Sequence, residues 1–157
     1  MVKESSPKTI IALLNDALCA ELTAINQYFM HAELCRHWGY TKLYAKMRQE
    51  SISEMKHAEV LMERILFLNG MPNLQKLGKV NVGETVTEQF KSDLALEIDA
   101  IDRLNKGIQV CQQAGENGTA ILFQELLKSE EEHLEWINVQ LDLIAALGEK
   151  NYLTQQL

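Results

Sequence analysis

Two short stretches each set a glutamate three residues before a histidine: Glu54 and His57 in SISEMKHAEV, Glu130 and His133 in KSEEEHLEWI. Residues at i and i+3 share a helix face, so each pair can serve one metal ion. A further glutamate precedes each pair, and the offsets match. Glu21 lies 33 residues before Glu54, and Glu97 lies 33 before Glu130. Each half of the chain therefore supplies one glutamate and then a Glu-x-x-His pair. This is an internal pseudo-repeat whose surroundings have diverged. A lone Glu-x-x-His is a weak signal in a glutamate-rich chain, where a pair of surface side chains explains it. Glu59, Glu63 and Glu132 read as such solvated acids. The doubled pattern with matched offsets is far more specific.

Glu21 has Leu18, Leu22 and Ile25 around it at helical spacing, and Glu97 has Leu94, Ile98 and Ile101. Both acids should point inward, where an unpaired carboxylate is very costly. Four buried carboxylates need cations. Four glutamates and two imidazoles suit two divalent ions, each with a terminal glutamate and a histidine, with two glutamates bridging. Oxygen and imidazole donors without thiolate favour iron or manganese over a structural zinc site.

The elements that must position these groups are helical, with no convincing strand. Ser6-Pro7 reads as an N-cap with proline at the first helical position. Ile10, Leu14, Leu18, Leu22, Ile25 and Phe29 then recur at helical spacing. This helix should end near Gly39. A second should run from about Thr41 to Asn69, stopped by Gly70 and Pro72. Residues 71–84 read as a connection, and Thr85 with Glu88 as the capping box of a third helix. The third should end near Gly115. A fourth should follow Asn117-Gly118 and reach about Leu147, where Gly148 stops it. The tail has room for a short fifth helix at most.

Helices of ~30 residues are ~45 Å long, and fourteen extended residues reach about as far. The connection can thus run the length of a bundle. The expected fold is an all-α, antiparallel four-helix bundle with one long crossover between helices two and three, in a single domain over residues 1–157. The competing arrangement is four helices packed in some other way.

Composition narrows the function. Of 157 residues 46% are hydrophobic, and the net charge of −7 argues against a nucleic-acid partner. No apolar run reads as a membrane span, and the N-terminus lacks the apolar core of a signal peptide. Cys19, Cys35 and Cys111 are odd in number and form no C-x-x-C. They read as small buried hydrophobes in a reducing cytoplasm.

AINQYFMHAE, SISEMKHAEVLMERILFLNGMPN, SDLALEID, EEHLEWINVQLDLI and the ending NYL resemble bacterioferritin over nearly the whole chain. The resemblance implies a hollow homo-oligomer of twenty-four subunits built from two-fold dimers. Such a shell oxidises Fe(II) with dioxygen or peroxide, stores ferric mineral, and gives up iron with a ferredoxin as the partner class. It implies a di-iron centre of Glu21, Glu54, His57, Glu97, Glu130 and His133, with Glu54 and Glu130 as bridges. It also implies haem b at the two-fold interfaces. Two other functions stay open: a di-iron or di-manganese oxidase or peroxidase that stores nothing, and a non-catalytic helical interaction protein.

Met55 follows Glu54 by one residue, a turn of ~100° on a helix. If Glu54 points inward, Met55 points sideways or outward. By spacing alone it is more simply an interface methionine. The resemblance implies axial ligation of a haem shared by two subunits, with Ile25, Asn26, Phe29 and Ile52 lining the pocket. Tyr28 reads either as a core tyrosine or, by resemblance, as an electron donor beside the iron site. His31 and His37 read as surface residues, Trp136 as packing, and Asp93 as either solvated or supporting the site. Glu50 reads as a guide for iron.

Three positions depart from the family pattern. Gln49 stands where relatives carry a histidine that binds iron. Ser53 and Ser129 stand where many carry aspartates that hold the ligand histidines. Those serines predict looser histidines, one of them free to swing out, and weaker iron binding.

Overall fold

The computed structural model describes residues 7–157. The Ser6 cap lies outside the described residues. Four long helices, α1 (Pro7–His37), α2 (Thr41–Phe67), α3 (Val86–Gln113) and α4 (Asn117–Leu147), are followed by a short α5 (Glu149–Thr154). Helix α1 pairs with α2, α3 pairs with α4, and α1 also packs on α3. Among the described residues there is no strand.

Three helix ends fall at the expected glycines: Gly39, Gly115 and Gly148 follow α1, α3 and α4 with positive φ. Helix α2 ends two residues earlier than its sequence suggests. Asn69, not Gly70, takes the left-handed position at φ 60°, which an asparagine tolerates better than most residues. Gly70 has a different use: a Cβ there would stand 2.9 Å from Ile11 Cγ2. At the start of α3, Thr85 Oγ1 accepts from the Glu88 amide at 3.2 Å. Glu88 Oε2 in turn accepts from the Glu84 amide at 2.8 Å, one residue outside the usual reciprocal partner.

The crossover runs the way the chain-length argument requires, and the side chains of α1 hold it. Asn15 Oδ1 accepts from the Asn73 amide, Thr23 Oγ1 from Gly78, Gln27 Oε1 from Asn81, and His31 Nε2 from Gly83, all at 2.8–3.0 Å. Successive crossover residues meet successive turns of α1 over sixteen residues, or ~24 Å. The crossover therefore travels in the direction of α1, and α2 and α3 start from the same end of the bundle. An irregular segment has no ladder for its amides, so side chains must supply the acceptors.

His31 is consequently not a surface residue. It is fully buried, with Nδ1 2.9 Å from Asp93 Oδ1. Asp93 is buried as well, and it also accepts from Gln27 Nε2 at 2.8 Å. His37 is exposed. Gly83 permits the His31 contact, because a Cβ there would lie 2.3 Å from the Gln89 amide nitrogen.

The core divides in two. One apolar cluster gathers Leu14, Leu18, Leu61, Ile65, Leu104, Phe123 and Leu126. The other gathers Ala32, Leu43, Met47, Phe90, Ile137 and Tyr152 of α5. Between them lies a polar layer. Helix α1 is by length and composition apolar enough to cross a membrane, where no such run was expected. It nevertheless buries Glu21, Gln27 and His31 within the bundle, as a core helix does. Cys35 and Cys111 are buried as expected, while Cys19 is only half-buried.

Candidate metal centre

The polar layer is built from one turn of each long helix. Glu21, Glu54, Glu97, Glu130 and His133 are buried there, and His57 is half-buried. His57 Nδ1 lies 2.8 Å from Glu54 Oε2, 3.2 Å from Glu130 Oε1 and 3.8 Å from Glu21 Oε2. His133 Nδ1 lies 2.8 Å from Glu97 Oε1 and 3.7 Å from Glu50 Oε2.

Two overlapping groups of donors could each hold an ion. Glu21, Glu54, His57 and Glu130 offer atoms within 4.8 Å of one another, and so do Glu50, Glu54 and His133. Glu54 is common to both. Glu130 also faces both halves, since it meets His57 and its charge is felt against Glu97. Glu50, read from sequence as a guide for iron, stands at the edge of the centre itself.

The electrostatics are those of a site short of positive charge. Burial, with the charge of Glu130 adding to it, raises the Glu21 carboxyl above its ordinary range despite the His57 hydrogen bond. Burial and the charge of Glu21 raise Glu54 further. Burial and the charges of Glu54 and Glu97 push Glu130 up to about 9, although a hydrogen bond to His57 pulls the other way. Burial disfavours a charged His57, yet its bonds to Glu130, Glu21 and Glu54 outweigh this and raise it to about 12. Of the four glutamates of the centre, Glu97 alone falls below the ordinary range. Burial resists, but bonds from His133, Glu130 and Tyr28 win.

Glu97 Oε2 is buried without a hydrogen-bond partner. Among the described residues, no lysine or arginine pairs with any of the four glutamates. An orphaned carboxylate oxygen among acids that share only two imidazoles fits a pair of divalent cations.

Aromatic side chains wall one side. Tyr28 is buried, donates to Glu97 Oε1, and meets the His133 ring edge-on at 5.2 Å. Burial and the charge of Glu97 raise its phenol well above the ordinary value, so it remains a protonated donor. Trp136 stacks on His133 at 6.2 Å and 24°. A cavity of about 550 Å³ reaches Glu21, Glu54, Glu97 and Glu130, and exposed Asp16, Asp99, Lys76 and Lys79 also line it. It is a route from the surface to the carboxylates between α1, α3 and the crossover.

Met55, ~100° around α2 from Glu54, is 55% exposed. Ser51 donates to the Ile25 carbonyl at 2.9 Å. That bond ties α2 to α1 one turn from Met55. Phe29, one turn along α1, is 54% exposed. An exposed thioether on α2 and an exposed phenyl ring on α1 fit a ligand face that a two-fold axis would double.

Ser53 and Ser129 make no hydrogen bond to either histidine. Asp93, buried in the same bundle, is committed to Gln27 and His31. Both rings nevertheless turn inward onto ligand carboxylates, so the swung-out histidine expected from the serines does not appear. Neither His57 nor His133 has a bond at Nε2 to fix the ring. Replacing Ser53 and Ser129 together by aspartate should tighten Fe(II) binding ~10–100-fold, the usual worth of such partners. Anaerobic Fe(II) titration of both proteins checks this. Equal affinities would show that the serines cost nothing.

Comparison with known proteins agrees with the geometry. Residues 11–147 match the ferritin-like domain family. The bacterioferritin of Streptomyces coelicolor is 51% identical over 92% of this chain and 87% of its own length. Bacterioferritin BfrA of Mycobacterium tuberculosis is 44% identical over 93% and 92%. The crystal structure of that protein superposes with a TM-score of 0.95 at 43% identity, covering 98% of this chain and 94% of the other. With a family match over most of its length, close relatives at this identity and a shared fold, this chain belongs to the bacterioferritins of the ferritin-like family.

Proposed function

We propose that this chain is an iron-storing ferroxidase acting as a single ferritin-like domain. Fe(II) is its substrate, entering the centre and leaving as Fe(III). Glu21 and His57 hold one ion, Glu97 and His133 the other, and Glu54 and Glu130 bridge. Each Fe(II) gives up one electron. Two Fe(II) and two protons convert dioxygen to hydrogen peroxide, or convert hydrogen peroxide to two waters. Tyr28 keeps Glu97 oriented and is the nearest side chain that could supply a further electron.

The observation that carries this reading is Glu54, shared by two adjoining groups of metal donors. A shared acid between two such groups is what a pair of ions in contact requires. The orphaned Glu97 Oε2 supports it.

The ferric mineral is held in a shell of twenty-four copies, in the cytoplasm, with a ferredoxin as the electron donor for release. Met55 of each of two copies would hold a haem b shared between them, and that group would supply one-electron transfer. Native mass spectrometry tests the storage part. The expected mass is twenty-four times the 17.9 kDa of one chain. A particle no larger than a dimer would overturn storage and leave a dimetal oxidase.

A further inference from the structure

Opposite the cavity, the centre has a second face between α2 and α4, closed by Lys46. Its Nζ lies 2.5 Å from Glu50 Oε1 and 5.0 Å above the Trp136 ring. The other oxygen of Glu50 lies 3.7 Å from His133 Nδ1. One carboxylate thus spans a lysine and a histidine of the centre. Both Lys46 and Glu50 are half-buried, so solvent screens their attraction less than at an open surface.

Glu50 is also one of the three residues that could hold an ion with Glu54 and His133. A lysine ammonium and a metal ion are alternative cations for the same carboxylate. The ammonium is tethered one helical turn away, and the ring face of Trp136 gives it a second attraction. It therefore needs no concentration of free cation to stay in place.

We infer that Lys46 is a positioning residue that occupies Glu50 and withholds it from the ion on the His133 side, keeping that ion weakly held. This rests on the dimetal reading of the centre. An ion that is easily displaced suits a protein whose product must move on, whereas a fully engaged Glu50 would add an anionic ligand and trap it. Trp136, stacked on His133, fixes both the lysine and the ligand ring.

The test uses Co(II), which binds oxygen and imidazole donors and absorbs in the visible, followed by calorimetry and absorption on the full-length protein. Lys46→Met keeps the alkyl stem and removes the charge. The Co(II) on the His133 side should bind ~10-fold tighter, with a changed visible spectrum. Lys46→Arg should behave as wild type. Adding Glu50→Gln to Lys46→Met should abolish the gain.

An isotherm for Lys46→Met that matches wild type, or a gain that survives Glu50→Gln, overturns the inference. Wild-type protein that takes up no Co(II) overturns the dimetal reading and this inference with it. Wild-type uptake with an unchanged Lys46→Met overturns this inference alone.

Discussion

Replacing Glu130 with alanine is expected to slow rapid Fe(II) oxidation at least ~100-fold, because it removes a carboxylate that faces both halves of the centre. Glu21→Ala should do the same through its one ion. Stopped-flow mixing of Fe(II) with each variant under oxygen and under peroxide is the measurement. Oxidation at the wild-type rate in both variants would remove the dimetal assignment.

Stability should not fall with activity, which separates loss of a ligand from loss of the fold. Burial pushes the Glu130 carboxyl up to about 9. The folded chain therefore holds that proton more tightly than the unfolded chain does. This contributes stability that is complete below about pH 4.5 and is lost as pH rises toward 9. His57, raised to about 12, has the same sign from about pH 6.5 upward. Glu97, drawn downward, has the opposite sign, its contribution being present above about pH 4.5 and lost in acid. Metal-free wild type should melt at progressively lower temperature between pH 5 and pH 8. Glu130→Ala should flatten that slope without lowering the melting temperature at neutral pH. Added Zn(II) should stabilise wild type strongly and the variant little, since a ligand stabilises only the state that binds it.

Much of this centre is legible in the sequence, and the reason is geometric. A helix converts spacing into direction, so Glu-x-x-His twice, with matched offsets to Glu21 and Glu97, places six side chains without any knowledge of loops. The crossover is legible in length for the same reason. What the sequence hides are contacts between segments with no fixed spacing. His31 looks like a surface histidine because its partners, Asp93 and the Gly83 amide, are 62 and 52 residues away. The repeat Thr23, Gln27, His31, each a polar residue four after the last on a buried face, was the available signal. Buried polar groups at helical spacing need partners, and an irregular crossover is the natural source of them. Lys46 is hidden in the same way. Its i,i+4 link to Glu50 can be read from the sequence and would ordinarily be a surface pair worth little. Only the approach of α4, with Trp136 and His133, turns it into part of the centre.

The largest effect outside the carboxylate layer is expected at Met55. Met55→Leu retains nearly the same volume and apolar character but removes the thioether sulfur, and leucine has no lone pair to offer iron. On that proposal wild type should carry one haem per two chains, because a two-fold axis would let the same methionine of each copy hold one shared group. The variant should lose essentially all of that haem on purification. The cost to folding should be small. The side chain is 55% exposed, and the swap conserves volume. Assembly should survive, since Phe29 and the other apolar side chains of the α1–α2 face are untouched. Fe(II) oxidation should survive too, because Glu54 and Met55 leave α2 in different directions. The Soret absorbance per chain, read with native mass and stopped-flow oxidation on one preparation, checks all three. Full haem content in Met55→Leu would place the axial ligand elsewhere. Loss of oxidation together with haem would mean that the two faces of α2 are not independent, and that the outward methionine steadies the inward glutamate.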